Sequence, residues 1–107
     1  MSLQPLSRRE FQQMIQTSAR PVVVDFTCDR SAPCELLSPI LETMSRDAAG
    51  RIGFYQINID RERELARKLA VTSIPTVMLY ADGELVTKSV GYKPKDVLQD
   101  ILYSELP

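Results

Sequence analysis

The stretch that decides the fold is Val22-Val23-Val24-Asp25-Phe26-Thr27-Cys28-Asp29-Arg30-Ser31-Ala32-Pro33-Cys34. An apolar run ends in an acidic residue and is followed by a short polar loop. The sequence Ser-Ala-Pro-Cys then opens an amphipathic pattern. Four apolar residues in six leave residues 22–27 without a polar face, which predicts a strand buried on both sides. From Ala32 the apolar residues recur at helical spacing, which predicts a helix to Ala48. A buried strand that leads directly into a helix is typical of α/β proteins.

Helices and strands continue to alternate on both sides of this stretch. Ser7 and Glu10 form a capping-box pattern at the start of a helix predicted over Arg8–Thr17. Asp82-Gly83 predicts a hairpin turn, because this dipeptide tolerates the positive φ that such turns require. The other predicted elements are a short strand near Leu3, strands at 52–59, 76–80 and 84–90, and helices at 62–70 and 95–103. This order predicts one α/β domain over residues 1–107, with a mixed central sheet and helices on both faces.

Composition excludes several classes of function. The formal net charge of −1 provides no basis for binding nucleic acid or an anionic membrane. No apolar run reaches the roughly 20 residues that span a bilayer, and residues 1–5 lack the pattern of a secretory signal, so we expect a cytoplasmic protein. Two cysteines and no histidine exclude imidazole-based triads and leave too few ligands for a structural zinc site. We therefore expect neither a cofactor nor a metal. We also expect a monomer.

Landmarks along essentially the whole chain resemble the thioredoxin family. Asp25-Phe26 resembles the buried acid and aromatic residue at the end of its central strand, and Pro33-Cys34 the second half of its redox motif. Pro39 is similar to the proline of the family's active-site helix, and Ile74-Pro75-Thr76 to the loop whose proline follows a cis peptide bond. Further matches are Asn58-Ile59-Asp60, Asp82-Gly83 and Gly91. The resemblance implies a thioredoxin-like three-layer sandwich and thiol–disulfide exchange with protein partners.

The departures from the family pattern are equally specific. Ser31 stands where the family's Cys-Gly-Pro-Cys motif has its attacking cysteine. Thr27 and Arg30 occupy positions that usually hold tryptophan, and the chain has no tryptophan. Cys28 replaces a small alanine, and Gln56 stands where many members carry a lysine near the buried acid. The resemblance therefore implies the scaffold and its substrate groove, but not the first chemical step.

The two cysteines are candidate catalytic residues. We expect Cys34 in the first turn of its helix, where the amide dipoles favour a thiolate. Cys34 is then either a nucleophile or disulfide partner, or a buried and inert thiol. The resemblance places Cys28 beneath the start of the same helix, where a Cys28–Cys34 disulfide requires Cα atoms within roughly 7 Å. The alternative is that Cys28 is only a small buried substitute for alanine.

Asp25 and Ser31 complete the candidate catalytic set. The resemblance implies that Asp25 lies beneath Cys34, where a pKa raised by burial would let it exchange a proton with the sulfur. Otherwise Asp25 is a polar core residue bonded to water. Ser31 is among the preferred N-cap residues and can stabilise the helix start. A serine nucleophile needs a base, and a chain without histidine makes hydrolase chemistry an unfavourable interpretation.

Two functions remain open from the sequence. The first is thiol–disulfide exchange by an atypical site, begun by Cys34 or Cys28 and slowed by their shielding. The second is a redox-silent module that binds a peptide or protein without chemistry, with acidic partners favoured by Arg30. For both, the resemblance implies a substrate groove formed with Ser31 by Arg30, Ala32, Pro33, Ile74, Pro75, Gly91 and Tyr92.

Overall fold

A five-stranded mixed sheet organises the chain in the computed structural model, which describes residues 3–106. The elements are β1 (Gln4–Pro5), α1 (Arg8–Thr17), β2 (Val22–Thr27), α2 (Ala32–Ala48), β3 (Gly53–Asn58), α3 (Arg63–Lys68), β4 (Thr76–Ala81), β5 (Glu84–Val90) and α4 (Lys95–Tyr103). The strand order is β1-β3-β2-β4-β5. Strands β1 and β2 run parallel to β3, whereas β4 runs antiparallel to both β2 and β5. The predicted α/β class with a mixed sheet is confirmed.

Strand β2 lies at the centre of the sheet and is buried on both faces. Val23 packs in a hydrophobic cluster with buried residues of α2 and α4. Val24 packs in a second cluster with buried residues of α1 and α3. Because successive side chains of a strand point to opposite faces, α2 and α4 cover one face of the sheet and α1 and α3 the other. This arrangement determines which residues of β2 meet the start of α2.

The local signals at helix and turn boundaries are also found in the structure. The Ser7 Oγ accepts a hydrogen bond from the Glu10 amide at 3.2 Å, and the Ser7 amide donates to Glu10 Oε1 at 2.9 Å. This confirms the predicted capping box of α1. Asp82 and Gly83 have φ values of 54° and 82°, as the hairpin turn between β4 and β5 requires. No helix within residues 3–106 is long and apolar enough to cross a bilayer.

Three predicted boundaries are wrong by one or two residues at one or both ends. The helix predicted at 62–70 is Arg63–Lys68, because Ala70 adopts a left-handed conformation with a φ of 58°. The strand predicted at 52–59 is Gly53–Asn58, and the one predicted at 76–80 extends to Ala81. This last extension follows a register shift after Leu79 that lets Ala81 pair with Glu84. The short strand expected near Leu3 is β1, and the remaining boundaries agree with the prediction.

Candidate active site

Helix α2 begins directly after Ser31. Ser31 is extended, with φ −108° and ψ 117°, and its Oγ accepts a hydrogen bond from the Cys34 amide at 3.3 Å. Pro33 lies in the first turn, where the amide it lacks would have no partner within the helix. Ser31 is therefore the N-cap of α2, as predicted, and Cys34 lies in the first turn with its amide tied to the cap.

The two cysteines lie side by side as thiols. Cys34 is buried, with 5% of its surface exposed, and Cys28 is half-buried. The two residues line the same pocket, and Cys34 is close enough to act on the Cys28 thiol. Burial is the main cause that raises the pKa of the Cys28 thiol, followed by the neighbouring Cys34 and the Asp60 carboxylate. The structure thus brings together the two sulfurs whose pairing the sequence left open.

The ends of two parallel strands hold the loop that carries Cys28. Thr27 and Asn58 are the last paired residues of β2 and β3, and the Ile59 amide donates to the Thr27 carbonyl at 2.9 Å. Asn58 Nδ2 donates to Asp29 Oδ1 at 3.1 Å, which ties the β2–α2 loop to the end of β3. These bonds place Cys28 between the end of β3 and the first turn of α2.

Both cysteines line one pocket of about 350 Å³, which we call the sulfur pocket. Its walls come from the β2–α2 loop, the first turns of α2, and the β1–β3 side of the sheet; Pro5, Asp29, Glu35, Gln56, Asn58 and Arg61 belong to them. The sequence analysis did not include these residues among the site residues. The available signal was the pair of strand ends, because the carboxyl ends of adjacent parallel strands lie at one edge of a sheet.

Asp25 lies on the sheet face that α2 covers. It is two residues from Val23 on β2 and so shares its face, and it is paired in register with Gln56 of β3. Only 3% of Asp25 is exposed, and its Oδ1 has no hydrogen-bond partner within residues 3–106. Burial raises the pKa of Asp25 from 3.8 to about 7. The structure thus buries this carboxyl, and its proposed exchange of a proton with Cys34 stays a prediction.

The residues predicted to form a substrate groove lie at the end of the sheet where α2 begins. The Ile74–Pro75 peptide bond is cis, and the Gly91 amide donates to the Pro75 carbonyl at 2.7 Å. Because Thr76 pairs with Phe26 of β2, this segment lies beside the end of β2. The other four predicted groove residues are exposed and belong to the loops after β2 and β5 or to the first turn of α2: Arg30, Ala32, Pro33 and Tyr92. Their contact with a substrate stays a prediction.

The described part of the chain does not assemble a metal site. No group of three or more cysteine, aspartate or glutamate side chains within residues 3–106 is arranged to hold a metal ion. The chemistry available at the site is therefore that of two adjacent thiols, a buried carboxyl of raised pKa, and a capped helix start.

Comparison with known proteins agrees with this geometry. The family model described as Thioredoxin matches residues 2–104. The thioredoxin of Bacillus subtilis (strain 168) is 36% identical over 91 residues, which cover 85% of this chain and 88% of that protein. The thioredoxin of Staphylococcus haemolyticus is 32% identical over 106 residues, which cover 99% of this chain and 100% of that protein.

A solved structure agrees as well. It comes from work on the thiol-resolving mechanism in yeast mitochondrial 1-Cys peroxiredoxin via glutathione/thioredoxin systems. Its chain superposes with a TM-score of 0.83 at 26% identity, covering 94% of this chain and 93% of its own. The family model and the thioredoxin relatives support a thiol–disulfide redox role. On this evidence the chain belongs to the thioredoxin family.

Proposed function

We propose that this protein carries out thiol–disulfide exchange with Cys28 and Cys34 as its redox pair, in a site that lacks an attacking cysteine at position 31. The observation that carries the proposal is that Cys28 and Cys34 are both free thiols and line one pocket. Cysteines that lie this close together need little backbone movement to form a disulfide. Family membership supports the reaction class, and a Ser31 hydroxyl forms no disulfide.

Exposure favours Cys28 as the first nucleophile. Cys28 is half-buried and lines the sulfur pocket, whereas Cys34 is 5% exposed. The Cys28 thiolate attacks one sulfur of a substrate disulfide, whose S–S bond breaks and releases one half as a thiol. Cys34 then attacks the Cys28 sulfur, which releases the other half and forms the Cys28–Cys34 disulfide. Two electrons and two protons pass from the pair to the substrate.

The raised pKa of Cys28 lowers the rate at which its sulfur attacks a disulfide. The thiolate is the nucleophile, and a pKa above the ordinary thiol value leaves little thiolate at neutral pH. We therefore propose slow exchange that accelerates as the pH rises. A thiolate that the site does not stabilise also makes the reduced pair a good electron donor, because stabilisation of the thiolate is what makes a dithiol oxidising.

Asp25 is the proposed proton acceptor for Cys34 in the resolving step. With its pKa raised to about 7, a fraction of the carboxyl is ionised at neutral pH and can accept a proton. Its place on the face covered by α2 supports this role, because the first turn of α2 holds Cys34. Ser31 has a positioning role, since its hydroxyl is engaged by the Cys34 amide.

Reduction of insulin disulfides, with dithiothreitol as electron donor, tests the proposal. Cys28→Ser and Cys34→Ser are each expected to abolish turnover above the dithiothreitol background. Ser45→Ala, in the same helix, is the matched control and is expected to keep it. After oxidation with diamide, the wild-type chain is expected to lose both titratable thiols and the mass of two hydrogens. Two free thiols after that oxidation, or turnover that survives Cys28→Ser, would contradict the proposed pair.

A second candidate function is peptide binding without chemistry. The observation that favours it is the pair of exposed apolar side chains beside the Gly91–Pro75 hydrogen bond: Val90 is 46% exposed and Tyr92 42%. An extended peptide could pair with the backbone there, and Arg30 would favour an acidic one. Retained binding of an acidic partner peptide by the Cys28→Ser, Cys34→Ser double variant, without wild-type turnover, would support this function over exchange.

We also propose that the protein acts in the cytoplasm as a monomer. The small net charge of −1 and the absence of a membrane-crossing helix within residues 3–106 are compatible with this proposal. Subcellular fractionation and sedimentation at micromolar concentration test the two statements separately.

A further inference from the structure

The sulfur pocket and the cis-proline segment lie on opposite sides of β2. In the strand order β1-β3-β2-β4-β5, β3 flanks β2 on one side and β4 on the other. Pro5 of β1 and Gln56 of β3 line the sulfur pocket, whereas Pro75 immediately precedes β4. A molecule that enters the sulfur pocket therefore approaches the thiols from the β1–β3 side, without passing the predicted groove.

The charges around this opening are predominantly negative. Asp29, Glu35 and Arg61 line the pocket, and the Asp60 carboxylate is close enough to act on Cys28. Asp29 is oriented by the hydrogen bond from Asn58. Two carboxylates, Asp29 and Glu35, face the single Arg61 guanidinium in the lining, while the nearby Asp60 has the Arg63 guanidinium against its carbonyl at 3.3 Å. The lining therefore carries a net negative charge, which concentrates cationic molecules at the mouth of the pocket and repels anionic ones.

The size of the pocket favours a small molecule. Its volume of about 350 Å³ is at the lower end of ligand pockets, which span roughly 300–1,000 Å³. Cys28 is half-buried within this pocket, on the loop that Asn58 ties down, so a broad protein surface reaches its sulfur only if this loop opens. A slender disulfide can reach Cys28 without that movement.

From this arrangement we infer that the sulfur pocket admits a small disulfide that carries positive charge, and that Cys28 and Cys34 reduce it there. The inference rests on the proposed exchange function and names a substrate class for the same sulfurs. The Cys28 sulfur displaces one cationic thiol from the substrate. Cys34 displaces the second as the Cys28–Cys34 disulfide forms, so two electrons and two protons leave the pair.

Three disulfides with two methylene groups between sulfur and the polar group test the selection: cystamine is cationic, hydroxyethyl disulfide neutral and dithiodipropionate anionic. The reduced protein is mixed with each at low salt, and the second-order rate of thiol loss is divided by the rate for free dithiothreitol. The normalised rate is expected to be about threefold higher for each unit of positive charge, from Coulomb attraction at about 7 Å in water-like surroundings. The preference is expected to vanish at about 1 M salt, where screening acts within about 3 Å.

Charge variants locate the route of entry. Asp29→Asn and Glu35→Gln are each expected to lower the normalised preference for cystamine about threefold, and Arg61→Gln to raise it by the same factor. Lys93→Gln is the matched control on the other side of β2, where the Lys93 ammonium donates to the Val90 carbonyl at 2.6 Å. We expect it to leave the preference unchanged.

The possible results separate the inference from the function on which it rests. Thiol loss that is absent with all three probes would overturn the proposed exchange function. Exchange at equal normalised rates, or fastest with the anionic probe, would leave that function standing and overturn the charge selection. A preference that responds to Lys93→Gln but not to Asp29→Asn would overturn entry through the sulfur pocket.

Discussion

Replacing Asp25 by asparagine is expected to stabilise the protein at alkaline pH and to lose this benefit in acid. Asp25 is 3% exposed, and its Oδ1 has no hydrogen-bond partner within residues 3–106. Burial without a compensating partner disfavours the charged form, which raises the pKa of Asp25 to about 7. The free energy of unfolding is therefore lower when this carboxyl is ionised.

The difference in pKa between the two states fixes the size and sign of this cost. Between the unfolded value of 3.8 and the folded value of about 7, the folded state binds a proton that the unfolded state does not. The free energy of unfolding therefore decreases with rising pH over this window and is level above it. At about 1.36 kcal/mol for each unit between the two pKa values, the whole decrease approaches about 4 kcal/mol.

Urea unfolding followed by circular dichroism, with both cysteines kept reduced, measures the effect. The variant lacks the ionisable group, so its free energy of unfolding relative to wild type is expected to rise by up to about 4 kcal/mol from pH 4 to pH 8. The buried amide adds an offset that does not depend on pH. Asp100→Asn removes an exposed carboxylate from α4 and is the control for the loss of one negative charge. A difference between Asp25→Asn and wild type that stays constant across this range would refute the reasoning.

Four further outcomes are expected from the structure. Ser31→Ala removes the cap of α2 and is expected to lower the free energy of unfolding by about 1 kcal/mol in urea titrations; an unchanged midpoint would contradict the capping bond. Ser89→Ala is expected to raise that free energy by up to about 1 kcal/mol, because the Ser89 hydroxyl is buried without a partner within residues 3–106. Cys34→Ala removes the neighbouring thiol that helps to raise the pKa of Cys28, so iodoacetamide is expected to alkylate Cys28 faster at about pH 8; slower alkylation would argue against an influence of Cys34 on Cys28. Ser31→Cys places a thiol at the N-cap of α2, and insulin reduction is expected to increase at least about tenfold, since the helix terminus favours the thiolate.

Much of the fold could be predicted because its signals are local. The apolar run 22–27, the capping box at Ser7 and the serine before α2 each act on backbone groups within a few residues, and the elements they predict are present. The boundaries that were wrong depend on hairpin pairing and on a left-handed backbone conformation that an alanine does not signal. Strand β4 extends to Ala81 because of its pairing with Glu84 across the hairpin, and α3 ends where Ala70 turns left-handed.

In the candidate site, too, some features follow from the sequence and others depend on tertiary contacts. The sequence by itself determined that position 31 holds a hydroxyl, that the thiols number two, and that Cys34 opens a helix, because residue identity and capping need no tertiary contact. Only the tertiary structure decided that Cys28 and Cys34 line one pocket and that Asn58 and Arg61 share it. It also decided the raised pKa of Asp25, since burial exists only once α2 packs on the sheet. Proximity and desolvation arise from strand register and helix docking, which join residues that are far apart in the chain.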